Sequence, residues 1–177
     1  MKKKILFSVL ALAVVAVVAG TAAAVSMSQR KSDKELLTMA GEINGAYIRG
    51  EYGDGTPLYK SGNISISAAE VLSMSKVLDI SNTKDSARTA VETLLRREAL
   101  AWAAVYAGYT ATDEEVWAYL NNEREQFAEA SNRDGFLIYL SAAKLTEDEY
   151  WQFQFDTRRA TFVSGKHLEA EREAFFA

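Results

Sequence analysis

The sequence contains no cysteine, and it has only one proline and one histidine. The lack of cysteine excludes disulfide bonds, a thiolate nucleophile, a cysteine-based zinc site and a lipid anchor on cysteine. His167 has no second imidazole with which to form a His-rich metal site, and the sequence indicates no Ser/His catalytic pair. Because no set of nucleophile, base and orienting group can be named, we do not expect an enzyme.

The chain also lacks the positive charge that nucleic-acid-binding proteins carry. Its formal net charge is −4, and Lys2, Lys3 and Lys4 lie together at the N-terminus, so the remainder is more acidic. Nucleic acid is therefore not expected as a partner. Hydrophobic residues make up 49% and aromatic residues 11% of the 177 residues. This composition is sufficient for a packed core in one folded unit.

An uncharged apolar stretch from Ile5 to Val25 follows the three lysines. As a helix, at about 1.5 Å per residue, it would span roughly the ~30 Å hydrocarbon core of a bilayer. We predict that residues 1–28 are a signal anchor or a signal peptide, since Ala22 and Ala24 also provide a small-residue cleavage site. An anchor gives a single-pass protein of the cell membrane with an extracytoplasmic C-terminal domain. Cleavage near Ala24 would instead give a secreted protein.

Residues 29–57 are predicted to form a juxtamembrane helix and a linker. Ser32 and Glu35 have the spacing of a capping box, and the helix that follows contains Gly41 and Gly45. The segments Leu58–Lys60 and Asn63–Ile66 are candidate short strands around Ser61-Gly62. Three more capping boxes are predicted further along the chain, at Ser67 with Glu70, Thr112 with Glu115, and Thr146 with Glu149.

The stretch from Thr83 to Ala128 predicts the core of an all-α domain over residues 58–177. Apolar residues recur at helical spacing up to Tyr106, and Gly108 can end that helix in a left-handed conformation. A second helix begins after Thr112. We expect these helices to form a helical hairpin, with Trp102 and Leu120 buried between them and the last long helix packed against it.

Two turn motifs in this region resemble the N-terminal chaperone domain of SurA- and PrsA-type foldases, the trigger factor/SurA peptide-binding family. They are A-G-Y-T-A-T-D-E-E-V at 107–116 and K-L-T-E-D-E-Y-W at 144–151. The resemblance covers roughly residues 58 to 170. It implies a multi-helix fold and binding of unfolded or exported polypeptides without a cofactor. No segment resembles the parvulin domain that these proteins often carry, so isomerase activity is not expected.

Aromatic residues crowd the last third of the chain, and we consider five of them candidates for polypeptide binding: Tyr139, Tyr150, Trp151, Phe153 and Phe155. Positions 151, 153 and 155 are separated by about 200° per pair on a helix, so they cannot all share one buried face. Phe153 is the member expected to lie off the face of Trp151. The simpler interpretation is that the cluster packs in the interior. A second functional hypothesis is a cell-envelope assembly or interaction subunit with one defined protein partner.

The charged motifs have structural interpretations. Asp113-Glu114-Glu115 and Glu147-Asp148-Glu149 lie in predicted first helical turns, where negative charge offsets the positive end of the helix. We therefore interpret them as capping residues rather than as metal ligands or catalytic carboxylates. Arg96-Arg97-Glu98, Glu123-Arg124-Glu125 and His167 are expected on solvated helix faces.

Overall fold

The computed structural model describes residues 31–129 and 133–176. In chain order its elements are α1 (Asp33–Ile48), β1 (Pro57–Ser61), β2 (Ile64–Ser67), α2 (Ala68–Ile80), α3 (Ser86–Tyr106), α4 (Asp113–Glu129), α5 (Arg133–Ala143) and α6 (Glu147–Phe175). The described part is mostly helical with one small sheet, which confirms the all-α prediction. None of the helices in these ranges is both long and apolar enough to cross a membrane. The predicted membrane segment lies outside the described residues.

The predicted capping boxes begin the helices where the sequence placed them. Ser32, Ser67 and Thr146 each accept a hydrogen bond from the backbone N–H three residues later, and the glutamate there bonds back to the backbone N–H of the cap. Thr112 and Glu115 bond reciprocally in the same way ahead of α4. Each box satisfies N–H groups that have no partner within the helix, so the starts of these helices are fixed locally.

The β-hairpin is also confirmed. β1 and β2 pair antiparallel with Ser61 opposite Ile64, and Gly62 and Asn63 form the turn. Gly62 has a φ of 57°, a value that favours glycine and suits a tight two-residue hairpin turn. Ile66 of β2 is buried against the helices, whereas every residue of β1 is exposed. The hairpin is therefore fixed to the domain through β2.

The helices α3 and α4 follow one another as predicted, but they do not form a mutually packed hairpin. Gly108 ends α3 with a φ of 90°, and the N–H of Tyr109 bonds to the carbonyl of Ala104 at 3.0 Å. Beyond this turn, α3 packs against α2 and α6, and α4 packs against α6. The partner of both helices is thus the last long helix, and the prediction that α3 and α4 cover each other is wrong.

The buried face of α3 also differs from the predicted one. The sequence placed Trp102 in the core, but its side chain is 43% exposed. The buried residues of α3 are Ser86, Ala90, Leu94 and Ala104, and of these only Leu94 belongs to the predicted apolar stripe. That face lies about 100° around the helix from the predicted stripe. Small side chains let α3 approach its neighbours closely. The face with small residues is therefore buried in preference to the face with the larger apolar residues.

Helix α1 is packed into the domain. Gly41 and Gly45 lie against α5 so closely that a Cβ on Gly45 would overlap the carbonyl of Ala143 and lie 2.8 Å from its Cα. A Cβ on Gly41 would lie 2.9 Å from the Cβ of Ala142. The guanidinium of Arg49, just after α1, donates to the Ala143 carbonyl at 2.8 Å. The helix predicted within residues 29–57 thus forms as α1 and packs against α5.

A compact apolar cluster holds α4 to α6. Val116 and Leu120 of α4 and Trp151 of α6 are almost completely buried. The prediction that Leu120 is buried is confirmed. Partly buried aromatic residues surround this cluster, among them Trp117, Tyr119, Phe127, Tyr150, Phe155 and Phe162.

A partly buried ion pair joins α2 to α3. The guanidinium of Arg97 lies 2.9 Å from the carboxylate of Glu70 and 2.8 Å from that of Glu98. The sequence suggested that Arg97 lies on a solvated helix face. The ion pair shows that it does not. Burial raises the pKa of Glu70, but hydrogen bonds from Ser67 and Arg97 outweigh it and leave this pKa below its usual value.

Replacing Glu70 with Gln is expected to lower the free energy of unfolding by about 1–2 kcal/mol at pH 7. Gln preserves the capping box but removes the charge that pairs with Arg97. Because the pKa of Glu70 is lowered in the folded state, its contribution is present above pH ~4.3 and is lost as the pH falls through the folded value. Denaturant titrations between pH 7 and pH 3 should show a smaller acid-induced loss in the variant. Identical pH profiles would contradict the assignment.

Candidate polypeptide-binding surfaces

Most of the predicted aromatic cluster lies in the interior. Trp151 is 2% exposed and packs on Val116 and Leu120. Tyr139 and Tyr150 meet edge to face with ring centroids 5.9 Å apart. Burial raises the pKa of Tyr150 to about 12 and raises the pKa of Tyr139 above its usual range. Trp151 is therefore a packing residue, whereas Tyr139 and Tyr150 are partly buried and their binding of polypeptides stays a prediction.

The two remaining residues of the cluster lie at its edges. The ring of Phe155 stacks on Trp117 at 4.6 Å, with the guanidinium of Arg159 5.2 Å from its centre. Phe153 faces away from the Trp151 cluster and meets Tyr47 of α1 edge to face at 6.0 Å. The predicted separation of Phe153 from the face of Trp151 is thus confirmed.

Phe153 and Tyr47 line an open cleft between α1, α6 and the β-hairpin. The cleft has a volume of about 260 Å³, and Ala69, Ser67, Gly53 and Gly55 complete most of its lining. The hydroxyl of Ser67 is already bonded to Glu70. The side chains that line the cleft are those of Tyr47, Ile48, Ser67, Ala69 and Phe153, and the lining as a whole is as polar as it is apolar. We refer to it below as the Phe153 cleft.

A second apolar surface lies on the C-terminal half of α3, where the sequence predicted core. Trp102, Val105 and Tyr106 are 43%, 58% and 82% exposed, and we call these three residues the α3 strip. The rings of Trp102 and Tyr106 stack on each other at 5.3 Å with an angle of 20° between them. Stacking holds two large apolar side chains in place at the surface.

The α3 strip was missed because the apolar spacing of α3 was assigned to the wrong partner. One signal in the sequence could have revealed it, namely the small residues Ser86, Ala90 and Ala104, which recur on a neighbouring face of the same helix. Such a face permits close helix packing and leaves bulky neighbours at its margin. A helix with two possible inner faces therefore calls for a comparison of side-chain size as well as hydrophobicity.

The acidic triplets have structural roles, as predicted. Glu115 bonds to Lys166 of α6 at 2.9 Å in addition to capping α4. Glu147 lies 2.5 Å from Arg133, and its pKa is lowered chiefly by that hydrogen bond. Asp148 pairs with Arg124 at 2.8 Å. Within the described ranges no group of three or more His, Asp or Glu side chains could hold a metal ion.

His167 is packed rather than solvated. Its ring lies 5.0 Å from that of Tyr109 in the turn after α3, and Nδ1 is buried without a hydrogen-bond partner among the described residues. This corrects the expectation of an exposed histidine. The contact fixes the second half of α6 to the turn between α3 and α4.

Comparisons with known proteins add no relative. No protein-family model, curated protein or solved structure matches this chain. The resemblance to SurA- and PrsA-type chaperone domains therefore stays a prediction. The described features on which a function can be based are a mostly helical domain, the α3 strip and the Phe153 cleft.

Proposed function

We propose that this chain is an extracytoplasmic, membrane-tethered, chaperone-like protein that binds non-native exported polypeptides. The α3 strip is the observation that carries this proposal. An unfolded chain exposes apolar side chains in many arrangements, and a fixed apolar surface can shield them from water without reading a defined sequence. Such binding requires neither a cofactor nor isomerase activity.

The geometry of the α3 strip supports this role. Trp102, Val105 and Tyr106 lie within two successive turns of α3, so their exposed surfaces are adjacent. Aromatic side chains contribute disproportionately to protein binding because they bury a large area and have few rotatable bonds. Since the two rings are already stacked, little further ordering is needed when a client binds.

The location is proposed from the N-terminal sequence. The lysines and the uncharged stretch from Ile5 to Val25 favour export with an uncleaved membrane anchor. Cleavage near Ala24 would release the same domain as a secreted protein. In both cases the domain would meet polypeptides that emerge unfolded on the outer side of the membrane.

A cell-envelope assembly subunit with one defined protein partner is the second candidate. The spacing of three and four residues among Trp102, Val105 and Tyr106 favours it, because this is the pattern with which one helix packs against another. The two candidates differ in selectivity. A chaperone holds many unrelated unfolded chains, whereas an assembly subunit binds one folded or folding partner at fixed stoichiometry.

The test is suppression of aggregation of a chemically unfolded client by the purified chain. We expect the parent to hold the client and the double variant Trp102→Ser/Tyr106→Ser to need about ten times more protein for the same effect. Melting temperatures should differ by a few degrees at most, because Tyr106 is 82% exposed and Trp102 is half-exposed. Leu137→Ser is the matched control, since Leu137 is an exposed apolar residue of α5 outside the α3 strip.

Three outcomes separate the candidates. Loss of holding in the double variant but not in Leu137→Ser supports chaperone-like binding through the α3 strip. Equal holding by all three proteins would show that the α3 strip is not the site. Absence of holding by the parent, together with capture of one stoichiometric envelope protein that the double variant fails to capture, would replace the chaperone proposal with the assembly subunit.

A further inference from the structure

The Phe153 cleft has the size of a site for one side chain. Its volume is about 260 Å³. A cavity of roughly 150 Å³ admits benzene, whereas sites for cofactors and drug-sized molecules occupy about 300–1,000 Å³. The cleft is therefore large enough for a leucine, methionine or phenylalanine side chain and small for a free organic ligand.

One wall of the cleft leaves room for a polypeptide backbone. Gly53 and Gly55 contribute to this wall, and no atom lies within 4 Å of the position that a Cβ would take on either residue. The backbone of a bound chain could thus pass close to the loop while its side chain enters between Tyr47 and Phe153. A small apolar molecule that enters the cleft would gain no binding affinity from this open wall.

The charge beside this wall is negative. Asp54 lies between the two glycines, and hydrogen bonds from the Thr56 hydroxyl and N–H hold its carboxylate and lower its pKa. No lysine or arginine lines the cleft. Arg49, which precedes this loop, is engaged by Glu51 and by the carbonyl of Ala143, and the ammonium of Lys76 lies 5.4 Å from the centre of the Tyr52 ring. A cationic neighbour of the inserted side chain would therefore be favoured.

We propose that the Phe153 cleft binds one large apolar side chain of a polypeptide, preferentially where Lys or Arg flanks that side chain. This inference rests on the proposed function. It assigns a sequence preference to the same clients that bind to the α3 strip without any sequence preference. The apolar side chain supplies most of the affinity by leaving water. Asp54 supplies the preference for flanking charge, and that part weakens as salt is added.

The test uses the full-length chain in lipid nanodiscs and short labelled Gly/Ser peptides, with fluorescence anisotropy as the readout. The reference peptide carries one Leu between two Lys residues. We expect replacement of that Leu by Ala to weaken binding about tenfold or more. Replacement of the lysines by glutamates should weaken it by at least about threefold at low salt, the effect of one unit charge about 6 Å away in water.

Two protein variants connect these effects to the cleft. Phe153→Ser should abolish the difference between the Leu and Ala peptides. Asp54→Asn preserves an acceptor for Thr56 but removes the charge, so it should abolish the preference for lysine over glutamate while the Leu preference remains. Asp54 is exposed, which makes unfolding of this variant unexpected, and thermal melting checks both proteins.

Equal binding of the Leu and Ala peptides by the parent would overturn the proposal, even if the parent still suppresses client aggregation through the α3 strip. A Leu preference that survives in a folded Phe153→Ser variant would place the side-chain site elsewhere and overturn it as well. If the peptides discriminate as expected but no unfolded client is held, the Phe153 cleft stands and the chaperone proposal fails.

Discussion

Replacing Gly45 with Ala is expected to lower the free energy of unfolding by about 3 kcal/mol or more, beyond most single insertions of a methyl group. The new Cβ would overlap the backbone carbonyl of Ala143 and crowd its Cα. Backbone cannot move aside as a flexible side chain can. Helices α1 and α5 would have to separate, which would also strain the bond from Arg49 to the Ala143 carbonyl. Denaturant unfolding at pH 7 measures the change.

The matched control is Gly165→Ala in α6. Gly165 is also helical, but nothing lies within 4 Å of its Cβ position. Since alanine is the better helix former, this variant should gain roughly 0.5–1 kcal/mol. A loss below about 1 kcal/mol in Gly45→Ala, or equal effects at the two glycines, would mean that α1 does not lie at backbone distance from α5.

Truncating Trp151 to Ala should cost about 3–5 kcal/mol. Trp151 is 2% exposed, and it fills the space between Val116, Leu120 and the ring of Phe127. Its indole N–H also bonds to Glu147 at 3.3 Å. The substitution therefore leaves a large cavity where α4 meets α6 and removes a contact to the first turn of α6.

Trp102→Ala provides the comparison, because it removes the same side chain from a half-exposed site. We expect a loss of about 1 kcal/mol or less, arising mainly from the stacked Tyr106 ring. Equal losses at Trp102 and Trp151 would indicate that α3 buries the face of Trp102, as the sequence predicted. They would also remove the basis of the α3 strip as a binding surface.

The starts of α1, α2, α4 and α6 were predictable because their determinants are local. A capping box involves residues three apart, such as Thr146 and Glu149, and its geometry depends little on the rest of the fold. The end of α3 at Gly108 and the hairpin turn at Gly62 are local in the same sense. Each depends on a backbone conformation that few other residues adopt.

The faces and partners of the helices were not predictable from the same patterns. Two faces of α3 compete, one lined by large residues such as Trp102 and one by small residues such as Ala90. Only the shape of the neighbouring helices decides between them. The same holds for Gly45, which weakens a helix in isolation but here permits contact with a backbone distant in sequence.

The candidate site followed from the sequence only in part. Helical geometry alone separated Phe153 from the face of Trp151. The cleft depends on tertiary neighbours, since Tyr47, Ala69 and Gly53 come from three segments distant from Phe153 in the chain. The burial of Tyr139 and Tyr150 also has a tertiary origin, because aromatic content by itself does not distinguish a core from a binding surface.

Photo-crosslinking from the α3 strip tests the central claim most directly. A photo-reactive amino acid replaces Tyr106, which is 82% exposed, and for comparison Leu137, which is exposed on α5. Both proteins are irradiated with chemically unfolded clients and with the same clients folded. The account predicts adducts with several unrelated clients from position 106, only when they are unfolded, and few from position 137. Equal adducts from both positions, or none from position 106 with any unfolded client, would contradict it.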